Sequence, residues 1–227
     1  VGGVNRGGVI SPSWSATLVE ALENGMDLAS GLHTRLSSVP EIVEAAERNG
    51  RALHDVRHFD GALPIGNGLP RSGRRLLTVG TDCSVGKMYT ALALYRGVQA
   101  RGVPSDFRAT GQTGIFIAGS GISVDAVVAD FISGAIEELC PAQPDDHWDL
   151  VEGQGSLFHP SYAGVSLGLL HGAQPDNLVL CHEPTRTHMR GLPQQALPAL
   201  RDCIDANLSA ARVVREDSRF VGVAINT

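Results

Sequence analysis

Short apolar runs alternate with helical periodicity along the whole chain, so the pattern predicts an α/β protein built in two successive halves. In the first half, Val1 and Val4 read as the end of a strand whose start lies before the sequence. Ser11 and Pro12 are a good N-cap and first helical residue for a helix that runs to Asn24 and closes at Gly25. Residues 26–29 read as a short strand, and Ser38 with Glu41 has the S-x-x-E spacing of a capping box that opens a second helix ending at Asn49 and Gly50. The apolar stretch 52–56 completes a βαβαβ pattern.

From 58 to 75 the periodicity stops, and Gly61, Pro64, Gly66, Gly68, Pro70 and Gly73 read as an interdomain linker. The expected domains are therefore 1–73, linker included, and 74–227. Beyond the boundary, strands are predicted at 76–79, 106–109, 148–152, 178–181 and 220–225, with helices at 86–101, 124–140, 164–171 and 194–211. Short apolar strands between helices imply a mainly parallel sheet covered on both faces.

Composition narrows the function. With 18 basic and 24 acidic residues the net charge is −6, and no basic run is present, which argues against a nucleic-acid partner or an anionic membrane surface and leaves small-molecule substrates. No apolar run approaches the roughly 20 residues that span a bilayer. Cys83, Cys140, Cys181 and Cys203 lack C-x-x-C spacing and follow no signal-peptide pattern, so reduced thiols, a cytoplasmic location and no zinc site are expected. The 27 glycines cluster between apolar runs, where backbone turns tightly or approaches a ligand.

The strongest local signal is Gly80-Thr81-Asp82-Cys83-Ser84-Val85-Gly86-Lys87-Met88, between an apolar strand and a helix, the context of a phosphate-binding P-loop. Backbone N–H groups and the helix dipole converge there on an anion, and Lys87 adds a charge. Met88 stands where a hydroxyl normally reaches Mg²⁺, and its thioether is a poor ligand for a hard cation, so carrier phosphates fit better than phosphoryl transfer, with Mg²⁺ not required. Asp82 is expected to meet a metal, a backbone cap or a substrate amine, or to make an Asx-turn. Cys83, near a helix N-terminus and Lys87, has surroundings that lower a thiol pKa, and reads either as a residue packed within the loop or as a covalent nucleophile.

Three further segments end predicted strands. Glu152-Gly153-Gln154-Gly155 offers Glu152 to accept a proton from an amine, to hold a metal-bound water, or as a capped strand-end carboxylate, and His159 follows on the same loop as a second acid/base candidate. The cluster from Cys181 to Arg190 crowds Glu183, Arg186 and His188 together; arginine grips carboxylates and histidine moves protons, which makes His188 a third catalytic candidate. Arg108, Gln112 and Thr113 add donors at the same sheet edge, and Asn226 is placed either to recognise a purine ring or to form a turn. His33, His54, His58 and His171 have no motif around them and read as structural.

The run from Gly80 to Lys87 and the strand ending in Val151-Glu152-Gly153 resemble the dethiobiotin-synthetase-like branch of P-loop proteins. Together with Asn5-Arg6-Gly7-Gly8, the segment from Arg108 to Gly114, Glu152 to Ser156 and His182 to Arg186, they resemble more closely a family of formerly unknown function that includes the D-glutamate N-acetyltransferases. The resemblance covers essentially the whole chain. It implies a Rossmann-like N-terminal domain and a P-loop NTPase-like domain, with chain continuing past both Val1 and Thr227 in family members. It further implies a bacterial enzyme that transfers the acetyl group of acetyl-CoA to the amine of D-glutamate, and a partner racemase acting on the product. A homo-oligomer is part of the same expectation.

On this reading the P-loop, Met88 and Asn226 hold the acetyl-CoA cosubstrate, and Glu152, His159 or His188 carries the proton. Arg108, Gln112, Thr113, Gln154, Glu183 and Arg186 surround the amino acid. Direct transfer competes with an acetyl-Cys83 route. Two rivals remain at this level: an ATP-dependent ligase or kinase acting on a small acid, and a non-catalytic sensor of a nucleotide or acyl carrier.

Overall fold

The computed structural model describes residues 9–227. The predicted strand at 1–4 and the Asn5-Arg6-Gly7-Gly8 motif lie outside the described residues. Two compact units divide the chain after Asp60.

In the first unit, α1 (Pro12–Glu23) starts as its cap predicts: the Ser11 hydroxyl accepts the Trp14 N–H at 3.3 Å and Pro12 occupies the first turn. Two short parallel strands, β1 (Leu28–Ser30) and β2 (Leu53–Asp55), pair beside α2 (Pro40–Asn49). Leu18 and Leu22 of α1 pack with Ile42, Ala45 and Ala46 of α2 and with Leu28 and Leu36. The capping box is not formed. Val39 is the N-cap, the Ser38 hydroxyl donates to the Arg35 carbonyl, and Glu41 accepts from the Ser15 hydroxyl at 2.8 Å instead. The cause is the turn at Leu36–Ser38, whose N–H groups on Leu36 and Ser37 are taken by the Asp55 carboxylate, drawing Ser38 into a 3-10 turn.

The second unit holds a five-stranded parallel sheet. Its elements follow as β3 (Arg74–Gly80), α3 (Lys87–Gln99), β4 (Ser105–Arg108), α4 (Gln112–Ala118), α5 (Ile132–Leu139), β5 (Trp148–Val151), α6 (Ala163–Ala173), β6 (Asn177–His182), the hairpin strands β7 (His188–Met189) and β8 (Leu192–Ala196), α7 (Leu200–Arg212) and β9 (Arg219–Ile225). The strand order is β4-β5-β3-β6-β9. Because β3 is central, both its faces are covered: Leu77 and Val79 join a core with Ile132, Ile136, Leu169 and Leu180, while Leu76 meets Leu150 and Val179 on the other face. A continuous apolar run is what a strand buried on both sides requires.

Residues 61–73, which the sequence places in a linker, belong with the second unit. The Glu137 carboxylate accepts the N–H groups of Asn67 and Gly68, and Arg71 donates to the terminal carbonyls of α5 and α6, at Cys140 and Gly172. Polar side chains at helix ends thus fasten a segment that has no periodicity of its own.

Three element predictions change. The helix expected over 124–140 is two 3-10 turns, Val124–Ala126 and Ala129–Phe131, before α5 begins. The Val124 N–H is tied to the Thr110 carbonyl, and the β-branched pair Val127-Val128 is extended between the turns. The helix expected from 194 starts at Leu200, because Pro198 disfavours helical backbone before it and 192–196 pairs as β8. Helix α4 was absent from the sequence pattern, its apolar face being interrupted by Gly114 and closed by Gly119.

Candidate active site

The P-loop leaves the carboxyl end of β3, with β5 and β4 on one side of that strand and β6 and β9 on the other. This is the switch point at which open α/β sheets bind ligands. The loop is braced from below: Thr78, inside the apolar strand, turns its hydroxyl toward the Lys87 carbonyl at 3.2 Å and accepts the Gly153 N–H at 3.0 Å. A Cβ at Gly153 would stand 1.6 Å from the Thr78 carbonyl, so only glycine lets the strand after Glu152 pass this close to β3. The Lys87 ammonium is buried and donates to the Asp82 carbonyl at 2.7 Å; burial pushes its pKa down.

Asp82 resolves into a structural anchor. Its carboxylate is fully buried and accepts the Cys83 N–H at 2.6 Å, the Arg190 N–H at 2.7 Å and the Arg186 guanidinium at 2.8 Å. Arg186 also donates to the carbonyls of Cys83 and Ser84 and pairs with Glu183 at 2.5 Å. The loop after β6 and the β7–β8 hairpin are thereby pinned onto the P-loop, which holds Ser84 at a positive φ of 54°. Thr185 donates to the second Glu183 oxygen.

Glu152 sits across the loop, 4% exposed at the end of β5. One carboxylate oxygen accepts the N–H groups of Thr110 at 2.9 Å and Gly111 at 3.2 Å, and the Thr110 hydroxyl donates to the Glu152 carbonyl. A Cβ on Gly114 would reach 2.2 Å from the same oxygen, so α4 can approach only because that position is bare. Burial outweighs these donors, the Gln154 side chain and the Lys87 charge, and the Glu152 pKa is pushed up to about 7. A carboxyl group that titrates near neutrality in a strand-end cleft is suited to moving a proton.

His159 is buried, its Nδ1 accepting the Ser161 N–H and its Nε2–H donating to the Arg190 carbonyl. His188 is exposed at the start of the hairpin, with Nδ1 against the Thr187 hydroxyl. Gln154 reaches the Thr110 hydroxyl at 3.3 Å, and Gln112 and Thr113 form the first turn of α4. Asn226 lies beside Gly86: a Cβ built there would stand 3.5 Å from the asparagine side chain.

Arg108 stands at the end of β4 with its guanidinium on Asp149 at 2.7 Å and Asp106 at 2.9 Å. The expected lowering of the Cys83 pKa is reversed. Burial raises it more than Lys87, Arg190 and Arg186 lower it.

Among the described residues, two side-chain sets have metal-ligand spacing, Asp82 with Cys83 and His159, and Asp106 with His147 and Asp149. Arg186 already neutralises the first and Arg108 the second. A cavity of about 720 Å³ opens at the opposite, amino-terminal end of the strands, and its arginines are engaged locally: Arg71 by helix carbonyls, Arg74 over the Trp148 ring, Arg215 by Asp176 and Arg219 by the Asn177 side chain. The sequence had singled out neither Thr78 nor a role for Arg190. A lone threonine in an otherwise apolar strand leading into a P-loop is the one local signal for the former.

The model of a family of unknown function, DUF1611, matches residues 64–227 with its P-loop domain, and the companion Rossmann-like domain matches residues 1–59. The chain belongs to the DUF1611 family. Two curated relatives are both named D-glutamate N-acetyltransferase: one from Tritonibacter scottomollicae, 58% identical over all of this chain, and one from a Pseudoalteromonas species, 51% identical over the same span. This chain spans 68% of the length of each. A crystal structure of a DUF1611 family protein from Anabaena variabilis superposes on 99% of the chain with a TM-score of 0.90 at 37% identity, and the match covers 66% of that protein. Among the described residues, no helix is long and apolar enough to cross a membrane.

Proposed function

We propose that the chain is the P-loop-bearing part of an amino-acid N-acetyltransferase that moves an acetyl group from acetyl-CoA to the amine of D-glutamate, the activity for which its relatives are named. The observation that carries the chemistry is the placement of Glu152, a buried carboxyl group with its pKa pushed up to about 7, at the end of β5 on the Thr110 and Gly111 N–H groups, within reach of the Lys87 charge. An acyl transfer to an ammonium needs a group that removes a proton at neutral pH, and Glu152 has that property.

The P-loop residues fit a phosphate-bearing carrier: the loop opens a helix, Lys87 stands beneath it, and Asn226 flanks Gly86. When bound, the carrier supplies an activated thioester. Glu152 takes one proton from the substrate ammonium. The freed nitrogen lone pair forms the new C–N bond as the C–S bond breaks, and the second amine proton ends on the departing thiol. With Arg108 and Arg186 committed to internal carboxylates, the substrate carboxylates fall to Gln154, Gln112 and Thr113 around Glu152. Phosphoryl transfer is the poorer fit, because Met88 follows Lys87 where a metal-binding hydroxyl is needed. A racemase acting on the N-acetyl product and a homo-oligomeric, cytoplasmic enzyme belong to the same proposal.

Lys87→Ala tests the carrier assignment. The expected result is a KM for acetyl-CoA raised about 10- to 100-fold, the worth of a charge-assisted contact to phosphate, with the KM for D-glutamate changed little. An unchanged KM for acetyl-CoA would remove the phosphates from the P-loop.

A further inference from the structure

The three cations around the P-loop are not equally available. Lys87 is buried and rests on the loop's own Asp82 carbonyl. Arg186 spends its guanidinium on two carboxylates, Asp82 and Glu183, and on two carbonyls. Arg190 differs in how its backbone and side chain are used. Its N–H is fixed by the Asp82 carboxylate and its carbonyl by His159, so the residue's position is set from both sides. Its side chain is exposed, and its partner is the neutral hydroxyl of Ser84, at the tip of the loop. Among the described residues it makes no ion pair. One of its five guanidinium donors is used, and that one holds the exposed side chain against the P-loop.

We infer that Arg190 is an anion-binding residue of the P-loop mouth, contacting a phosphate group of the acyl carrier and so contributing to recognition of the carrier over a phosphate-free thioester. The inference rests on the proposed function for the identity of the carrier. Arg190 is a preorganised donor: its main chain is locked to the loop, so little ordering remains to be done when the phosphate arrives. The β7–β8 hairpin then has a binding role as well as a bracing one, because it carries the charge that the braced Arg186 cannot offer.

The experiment compares wild type, Arg190→Ala and Arg190→Gln by calorimetric binding of coenzyme A and of pantetheine, its phosphate-free portion, alongside thiol release from acetyl-CoA with D-glutamate. Both variants keep the Arg190 N–H bond to Asp82, so their melting temperatures should match wild type, and Arg190→Gln retains a donor for Ser84 without the charge. The expected result is a Kd for coenzyme A raised about 10- to 100-fold in both variants. The KM for acetyl-CoA should rise in parallel, with kcat within about twofold, and pantetheine binding should be unchanged. Equal weakening toward pantetheine, a rise confined to the KM for D-glutamate, or no change would overturn it. Wild type that binds coenzyme A in this Arg190-dependent way but transfers no acetyl group would sink the catalytic reading and leave the Arg190 site standing. Wild type that binds no coenzyme A would remove both.

Discussion

Glu152→Gln is expected to lower kcat for acetyl transfer by about 10²- to 10⁴-fold, the usual worth of a positioned general base, while leaving the KM for acetyl-CoA close to wild type. Glutamine is nearly isosteric and its carbonyl oxygen can still accept the Thr110 and Gly111 N–H groups, so the end of β5 should keep its shape. The pH dependence follows from burial. The working form is the carboxylate and its pKa is pushed up to about 7, so wild-type kcat/KM should rise with pH, reach half its plateau near 7 and level off above it. Stability moves the other way. A carboxyl group whose folded pKa lies above its unfolded value holds extra protons in the folded state, so its contribution is full below the ordinary 4.5 and is lost as pH rises through about 7. Melting curves of wild type and Glu152→Gln should therefore diverge between those two pH values, the variant losing less stability as pH rises. A variant with wild-type kcat would assign the proton transfer elsewhere.

Asp82→Ala is expected to act on the fold before it acts on the chemistry. Removing one partner of a buried, hydrogen-bonded ion pair typically costs about 3–5 kcal/mol, and here the lost carboxylate also leaves the N–H groups of Cys83 and Arg190 without an acceptor. A domain of this size loses roughly 2–4 °C of melting temperature per kcal/mol, so a fall on the order of 10 °C is predicted. Activity should fall with it as the hairpin comes away from the P-loop, and the KM for acetyl-CoA should rise most. Asp82→Ala that melts with wild type yet abolishes turnover would contradict the anchoring role and make Asp82 a participant in the reaction.

The contrast between these two acids explains how far the sequence could be read. The P-loop was legible because its signal is local: an apolar strand, spaced glycines and Lys87 at the start of a helix lie within fifteen residues. Glu152 was legible as a strand-end acid, yet its pKa depends on Gly114, about forty residues earlier, admitting α4 to the same oxygen. Arg108 and Arg186 were both read as free grips for carboxylates. Each has one near partner, Asp106 and Glu183, but the buried carboxylates that also hold them, Asp149 and Asp82, lie 41 and 104 residues away, where no spacing rule announces them. Cys83 was misjudged for a related reason, since its charged neighbours are visible in sequence and the burial that outweighs them is not. Helix α4 and the β7–β8 hairpin escaped because their periodicity is broken by glycine or too short to register, although both shape the site.

The most direct measurement is release of coenzyme A thiol from acetyl-CoA by the full-length protein offered D-glutamate, L-glutamate, D-aspartate or no amine, with the product identified by mass. Release that depends on D-glutamate and yields N-acetylglutamate is the predicted result. A folded protein that binds coenzyme A yet releases no thiol with any of these amines, or that consumes ATP in the presence of a small acid instead, would contradict acetyl transfer as the reaction of this site.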